Sequence, residues 1–157
     1  MSINRKILEN LFSAKAINLR KSSLFDTPPD PLPAGPLFDR IEGMMLGLAA
    51  GDALGITTEA MLPAERRNRF GEIRDYLPNR YAGECRGYPS DDTQLAFWTL
   101  EQMIEDNGFV PEHAAARFCR GKIFGIGSTV RQFIANYRQG TPWQKCGPES
   151  AGNGALM

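Results

Sequence analysis

The chain of 157 residues has few cysteines, no excess of either charge and no long apolar run. Its three cysteines, Cys85, Cys119 and Cys146, show no CxxC spacing, which argues against a disulfide framework or a zinc ribbon and favours buried, reduced thiols. Eighteen basic and eighteen acidic residues cancel, so a nucleic-acid or other polyanionic partner is disfavoured. The apolar stretch 44–50 is far shorter than the roughly 20 residues that span a bilayer, and the N-terminus lacks the apolar core of a secretory signal. We therefore expect a cytoplasmic protein that does not enter the membrane.

Strand-like alternation is also scarce, whereas apolar residues recur at helical spacing along most of the chain. An apolar stripe thickened by glycines predicts a helix over 37–54, and a more polar pattern predicts a second helix over 60–69. Further helices are predicted over 93–104, from Pro111 to Phe118, and beyond Ser128, which is a candidate N-cap. Segment 71–87 is predicted to be a loop. The fold class that follows is all-α.

Two segments precede this helical body. Residues 1–21 carry apolar side chains at helical spacing and are predicted to form an amphipathic helical arm. Residues 22–36 contain five of the eleven prolines, which favours an extended linker. The body itself then occupies residues 37–157.

The run Ser90-Asp91-Asp92-Thr93 stands at the predicted start of the helix over 93–104. Two carboxylates and two hydroxyls offer the hard oxygen ligands that magnesium, calcium or manganese prefer. Serine and aspartate at a helix start are also the usual N-cap and first-turn residues, and on this motif alone capping is the commoner explanation. Neighbouring motifs must decide between these two interpretations.

Three further clusters could belong to the same site. The segment Gly51-Asp52-Ala53-Leu54-Gly55 ends an apolar helix and is followed by Thr58-Glu59, a second acidic position. A glycine-rich loop that enters a helix can bind phosphate through its backbone amides; the candidate residues are Gly125, Gly127, Ser128 and Thr129. The segment near the end of the sequence could bind phosphate or ribose in the same way; its candidates are Ser150, Gly152, Asn153 and Gly154. Each cluster alone is also typical of an ordinary turn, helix start or chain end without a binding function.

Together the four motifs resemble those of the ADP-ribosylglycohydrolase family. The pattern GxxxGDALG followed by a glutamate, then [ST]DDTQ, then a GxGST loop and finally GNGALM matches in order and spacing from about Arg40 to Met157. The resemblance implies an all-α orthogonal bundle that holds two magnesium ions in a cleft. It also implies a hydrolase that removes ADP-ribose from modified protein side chains, with arginine as the expected attachment.

The same resemblance assigns roles to residues of this sequence. Ser90, Asp91 and Asp92 would be metal ligands, and Glu59, Asp91 and Asp92 would be catalytic. Residues 125–129 and 150–154 would hold the phosphates and the ribose. The family's second aspartate-rich run is absent from this sequence, so the bundle and its metal site are expected to be incomplete.

Three hypotheses therefore stand beside one another. The chain is expected to be part of an ADP-ribosylglycohydrolase that acts on an ADP-ribosylated protein. Alternatively, it resembles bacterial immunity proteins, in which case arm residues 1–36 would occlude an ADP-ribosylating toxin; a helix that packs on its own body would explain the arm equally well. A family member that binds ADP-ribose without cleaving it is the third hypothesis.

Several single residues also have predicted places. His113 is expected at the surface or packed, Phe97 and Trp98 are expected in the core, and Tyr81, Tyr88 and Phe124 are expected near the cleft.

Overall fold

The computed structural model describes residues 3–27, 36–79 and 83–152, without the side chains of 36–38. Within these ranges the protein contains helices and no β-strand, which confirms the all-α prediction. The six α-helices are α1 (Ile3–Ser13), α2 (Pro36–Gly55), α3 (Pro63–Phe70), α4 (Asp91–Asp106), α5 (Pro111–Phe118) and α6 (Ser128–Arg138). Three short 3₁₀ turns are formed by Ser23–Phe25, Ile56–Thr58 and Trp143–Lys145.

Helix α4 shows most clearly how local sequence sets the helix ends. Ser90 has extended backbone, and its Oγ accepts the backbone N–H of Asp92 at 3.2 Å, so it is the N-cap that the sequence predicts. At the other end Asn107 adopts the left-handed conformation (φ 50°), and the N–H of Gly108 donates to the carbonyl of Met103 at 3.0 Å. This closure satisfies carbonyls that the helix would otherwise leave without partners.

Two predicted helix starts are wrong. The second helix of the body begins at Pro63 rather than at Ala60, because Ala60 has a φ of 65°, which no right-handed helix accommodates. Proline at the first helical position then fits, since its missing N–H would have no partner there. The cap of α6 is Gly127, not Ser128: Ser128 is already the first helical residue, and the cap makes no side-chain hydrogen bond.

Helix α4 lies at the centre of the described structure, against α2 on one side and α5 on the other. Helix α5 also contacts α6 and the turn at Trp143–Lys145. Among the described residues the buried apolar side chains are mostly small or β-branched: Ala53, Ala114, Ala115, Ile123, Ile134 and Cys146. Close packing of the helices therefore depends on alanines rather than on large aromatic side chains, and Trp98 is only half-buried, with its ring against Gly121.

Helix α2 is apolar around most of its circumference. Met44 is 61% exposed and Leu46 is 62% exposed, although these two positions lie on nearly opposite sides of the helix. Between α2 and α4 a groove of about 390 Å³ is lined by Met44, Met45, Leu48, Ala96, Thr99, Leu100 and Met103. An apolar helix of this kind is typical of a buried position.

The arm contains one helix, α1, followed by the turn at Ser23–Phe25, and the rings of Phe12 and Phe25 meet edge to face at 5.3 Å. The Asn4 side chain accepts the backbone N–H of Phe109 at 2.9 Å, directly after α4. This contact agrees with an arm that packs on its own body. Most of the predicted linker lies outside the described residues, and occlusion of a toxin by the arm stays a prediction.

The cysteines depart from the expected burial. All three are free thiols, but Cys85 is exposed, Cys119 is half-buried and only Cys146 is buried. Cys85 lies between α3 and α4, outside the helices. None of the helices in the described ranges has the length and apolar character that spanning a membrane requires.

Candidate functional site

The first turn of α4 is held by a carboxylate from α2. Oδ2 of Asp52 accepts the backbone N–H of Ser90 at 2.7 Å, the N–H of Thr93 at 3.3 Å and the hydroxyl of Thr93 at 2.5 Å. Ser90 and Thr93 are both buried. The aspartate of the GDALG segment therefore fixes the place at which the Ser-Asp-Asp-Thr run begins.

These bonds account for the capping of α4. The N–H of Asp92 is taken by the Ser90 hydroxyl, that of Thr93 by Asp52, and the N–H of Gln94 makes the first helical bond to the Ser90 carbonyl at 3.2 Å. Neither Asp91 nor Asp92 is thus required as the N-cap. The interpretation as an ordinary cap explains Ser90, but it leaves the two aspartate side chains available for another role.

Both aspartates lie in a crowded acidic environment. Burial is the main cause that raises the pKa of Asp91, and the nearby carboxylates of Glu59 and Asp52 raise it further. Backbone hydrogen bonds from Gly127 and from Asp91 itself act in the opposite direction. Burial likewise raises the pKa of Asp92, with added repulsion from Asp91 and Asp52. A half-buried group of carboxylates of this kind is stabilised by a proton or a cation.

Glu59 reaches this group because α2 ends shortly before it. The helix stops at Gly55, the turn at Ile56–Thr58 follows, and Glu59 leaves that turn with a φ of −54° and a ψ of 138°. The Thr58 hydroxyl donates to the Gly55 carbonyl at 3.2 Å and closes the turn. Glu59 is exposed, so its carboxylate is accessible from solvent while it acts electrostatically on Asp91.

The glycine-rich loop lies against the same helix start. Gly125 has a φ of 69°, and a Cβ at this position would lie 3.1 Å from the Cβ of Ser90 and 3.4 Å from Oδ1 of Asp91. Only glycine meets both requirements, namely a left-handed backbone and this close approach. Gly127 donates its N–H to the Asp91 carboxylate, so that amide is already engaged within the protein.

The fourth motif meets the loop through hydroxyl groups. The Thr129 hydroxyl donates to Oγ of Ser150 at 3.4 Å, and Ser150 also accepts the N–H of Gly152 at 3.1 Å. Ser128, Thr129 and Ser150 are exposed. Asn153 and Gly154, the other predicted ligands of this segment, lie outside the described residues.

Ser90, Asp91 and Asp92 supply the hard oxygen atoms that fit magnesium in type. A metal site usually needs three or more ligating side chains close together. Within the ranges that the structure describes, no three aspartate, glutamate, histidine or cysteine side chains are arranged to hold a metal ion. Binding of magnesium by Ser90, Asp91 and Asp92 therefore stays a prediction.

Two residues of the site were not predicted from the sequence. In the sequence Asp52 is an acidic residue of the GDALG segment and Gln94 is the last residue of the [ST]DDTQ pattern, yet each joins α4 to a distant segment. Gln94 accepts the N–H of Phe124 at 2.6 Å and donates to the carbonyl of Lys122 at 3.3 Å. Their presence inside two motifs was the available signal.

The remaining candidate residues are one histidine and three aromatic residues. His113 is exposed and bonds to Asp106 at 2.8 Å, beyond the far end of α4, which agrees with its predicted place at the surface. Tyr88 is half-buried shortly before Ser90, and the Lys122 ammonium lies 5.3 Å from the centre of the Phe124 ring. Tyr81 lies outside the described residues.

Several known proteins are similar to this chain in sequence. A family model described as ADP-ribosylglycohydrolase matches residues 33–157. An uncharacterised protein of Archaeoglobus fulgidus is 33% identical over 123 residues, which cover 76% of this chain and 40% of that protein. The ADP-ribosylarginine hydrolase Tri1 of Serratia proteamaculans is 29% identical and covers 87% of this chain and 39% of its own length. The ADP-ribosyl-[dinitrogen reductase] glycohydrolase of Rhodospirillum rubrum is 31% identical, with 76% and 42% covered. The chain thus spans about two fifths of the length of these relatives.

Proposed function

The chain belongs to the ADP-ribosylglycohydrolase family, and on this premise we propose that it forms part of a hydrolase that removes ADP-ribose from modified protein side chains. Arginine is the proposed attachment, because the name of one relative specifies ADP-ribosylarginine. The observation that carries the proposal is that three of the four motifs meet at the start of α4 and that the fourth contacts the glycine-rich loop. Asp52 bonds to Ser90, Glu59 acts on Asp91, Gly127 donates to Asp91, and Thr129 donates to Ser150.

Cleavage at the anomeric carbon of ribose passes through an oxocarbenium-like transition state, which negative charge stabilises. The carboxylates of Glu59, Asp91 and Asp92 supply that charge from one side of the cleft. Glu59 is the exposed member, so it is the one that can exchange a proton with water or with the leaving group. We assign the general acid or base role to Glu59 on this basis.

Magnesium is the proposed cofactor, with two ions in the complete site. Ser90, Asp91 and Asp92 would hold it from the side described here. When bound, the metal orients the ribose hydroxyls and lowers the pKa of a coordinated water. Burial and, after it, repulsion from neighbouring carboxylates raise the pKa of Asp91 and Asp92, and this supports the assignment because a cation relieves that repulsion.

The diphosphate of ADP-ribose is assigned to the segment that enters α6. The amides in the first turn of a helix point away from it and carry a partial positive charge, which suits phosphate oxygens. The Gly127 amide is engaged by Asp91, so the amides beyond it and the hydroxyls of Ser128, Thr129 and Ser150 are the proposed donors. On this proposal the diphosphate would lie beside the carboxylate group, with the ribose between the two.

The test is release of ADP-ribose from an arginine-modified protein by the natural full-length enzyme. We expect turnover with magnesium and none after chelation. Glu59→Gln should lower kcat by about 10²–10⁴-fold, the range typical of a lost acid or base. Asp91→Asn and Asp92→Asn should raise the magnesium concentration required for activity.

Glu72→Gln is the matched control, because Glu72 is exposed and, among the described residues, its carboxylate bonds to Arg74. Its activity should equal that of the wild-type enzyme. Absence of turnover in the wild-type enzyme at all magnesium concentrations, together with measurable binding of ADP-ribose, would instead support a binding protein that does not cleave.

A further inference from the structure

The side-chain amide of Gln94 makes two hydrogen bonds to the backbone of a distant segment. Its Oε1 accepts the N–H of Phe124 at 2.6 Å, and its Nε2 donates to the carbonyl of Lys122 at 3.3 Å. The two backbone groups belong to residues i and i+2, the spacing that a neighbouring β-strand would engage. Gln94 thus bonds to residues 122–124 as a strand partner would, although the described residues contain no strand.

The segment held in this way leads directly into the glycine-rich loop. Ile123, between the two bonded residues, is buried with 7% exposure, so it anchors the segment from its other side. Gly125 follows with its left-handed backbone against Ser90, and Gly127 then donates to Asp91. The loop is therefore fastened to α4 at two points, by Gln94 before Gly125 and by Asp91 after it.

We propose that Gln94 is a positioning residue for the diphosphate of ADP-ribose. It contributes no charge to the acidic group and holds the entry of the loop in place, so that the amides at the start of α6 face the carboxylates on α4. This inference rests on the proposed function and deepens it, because it says which residue sets the distance between the anion-binding and acidic halves of the site.

If this is so, binding of ADP-ribose and the requirement for magnesium should depend on different residues. Asp52 holds the acidic half through Ser90 and Thr93, whereas Gln94 holds the phosphate half through Lys122 and Phe124. Removal of the Gln94 amide should weaken binding of ADP-ribose and leave the magnesium requirement unchanged. A residue that merely stabilised α4 would alter both or neither.

The experiment uses the full-length protein with Gln94→Met, which removes both hydrogen bonds at similar volume, and Gln94→Asn, which keeps an amide on a shorter side chain. The loss of about one net hydrogen bond should raise KM and the Kd for free ADP-ribose roughly 5–15-fold. We expect kcat and the magnesium activation constant to stay within about threefold of wild type, since those quantities depend on the carboxylates.

Gln102→Met is the matched control. Gln102 is buried on the same helix, two turns further on, and its Oε1 has no hydrogen-bond partner among the described residues. Gln102→Met should change stability without changing KM. Should Gln94→Met fail to fold, Gln94→Asn carries the test.

Three outcomes overturn the proposal: an unchanged Kd for ADP-ribose in both Gln94 variants, an equal rise in KM in Gln102→Met, or a shifted magnesium requirement with unaltered KM. The proposed function fails separately, if the wild-type protein binds ADP-ribose without releasing it from a modified protein. The Kd measured by calorimetry still tests Gln94 in that case. Failure of the wild-type protein to bind ADP-ribose at all would overturn both.

Discussion

Asp52 accepts the backbone N–H of Ser90 at 2.7 Å across a separation of 38 residues in the sequence. This bond, with the two from Thr93 to the same oxygen, turns an acidic residue at the end of α2 into a cap for α4. As a result, neither Asp91 nor Asp92 is needed to cap α4. Within the Ser-Asp-Asp-Thr run, capping is therefore explained by Ser90, and the side chains of Asp91 and Asp92 are the ones left for the proposed metal site.

Asp52→Ala should lower the free energy of unfolding by about 1–3 kcal/mol, because three donors lose their shared acceptor in a partly buried place. Urea denaturation followed by circular dichroism measures this change. Asp39→Ala, an exposed substitution in the first turn of the same helix, should have a much smaller effect. Equal effects of the two substitutions would contradict the capping role of Asp52.

Gly125→Ala should destabilise the protein by at least about 1–2 kcal/mol, the cost of a left-handed backbone for a residue with a Cβ. The contact at 3.1 Å with Ser90 adds to that cost and displaces the loop from α4. Gly127→Ala is the stability control, since its φ is −72° and a Cβ there meets no atom within 4 Å. Thermal unfolding of both variants compares them, and similar losses in Tm would be inconsistent with the described loop.

Thiol labelling should distinguish the three cysteines. Cys85 is exposed and should react first with a thiol reagent at pH 8, whereas Cys146 is fully buried and should react only on unfolding. Burial is the main cause that raises the pKa of Cys146 and of Cys119, so a smaller fraction of either is present as the reactive thiolate at that pH. Mass spectrometry of partly labelled protein identifies the order; early labelling of Cys146 would contradict its burial.

The groove between α2 and α4 should bind an apolar dye in the chain of 157 residues. Met44→Glu and Leu100→Glu place charge on its lining and should reduce the fluorescence of bound 8-anilinonaphthalene sulfonate. Leu62→Glu is the control, because Leu62 is 71% exposed and lies outside the groove. A fall in fluorescence with Leu62→Glu alone would locate the apolar site elsewhere.

Much of the fold follows from short-range signals in the sequence. Ser90 and Pro111 mark helix starts through their own side chains, so both predictions are confirmed. Ala60 gives no such signal: its left-handed backbone arises from the turn that follows α2, and the helix start predicted there is wrong. Ser128 resembles a cap, but Gly127 holds the extended backbone that the position requires.

The site itself was predictable as a set of motifs and not as an arrangement. The sequence shows that Glu59, Asp91 and Gly127 belong to recognisable patterns, but no local rule places them together. Their association depends on contacts between distant segments, made by Asp52 and Gln94, whose side chains bond to backbone atoms that carry no sequence signal. The predicted burial of all three cysteines is wrong for a similar reason. Whether a thiol such as that of Cys85 is exposed depends on tertiary contacts, which the local sequence does not show.

The separation of Asp52 from Ser90 also bears on how such a protein can diverge. Direct bonds between α2 and α4 set the distance between the two helices at the site. The length of the segment between α3 and α4 therefore does not have to fix that distance. Insertions or deletions in its solvent-exposed part around Glu84 to Arg86 can therefore accumulate without moving the carboxylates. In that stretch the surface of the protein can change while the bonds from Asp52 to Ser90 and Thr93 stay the same.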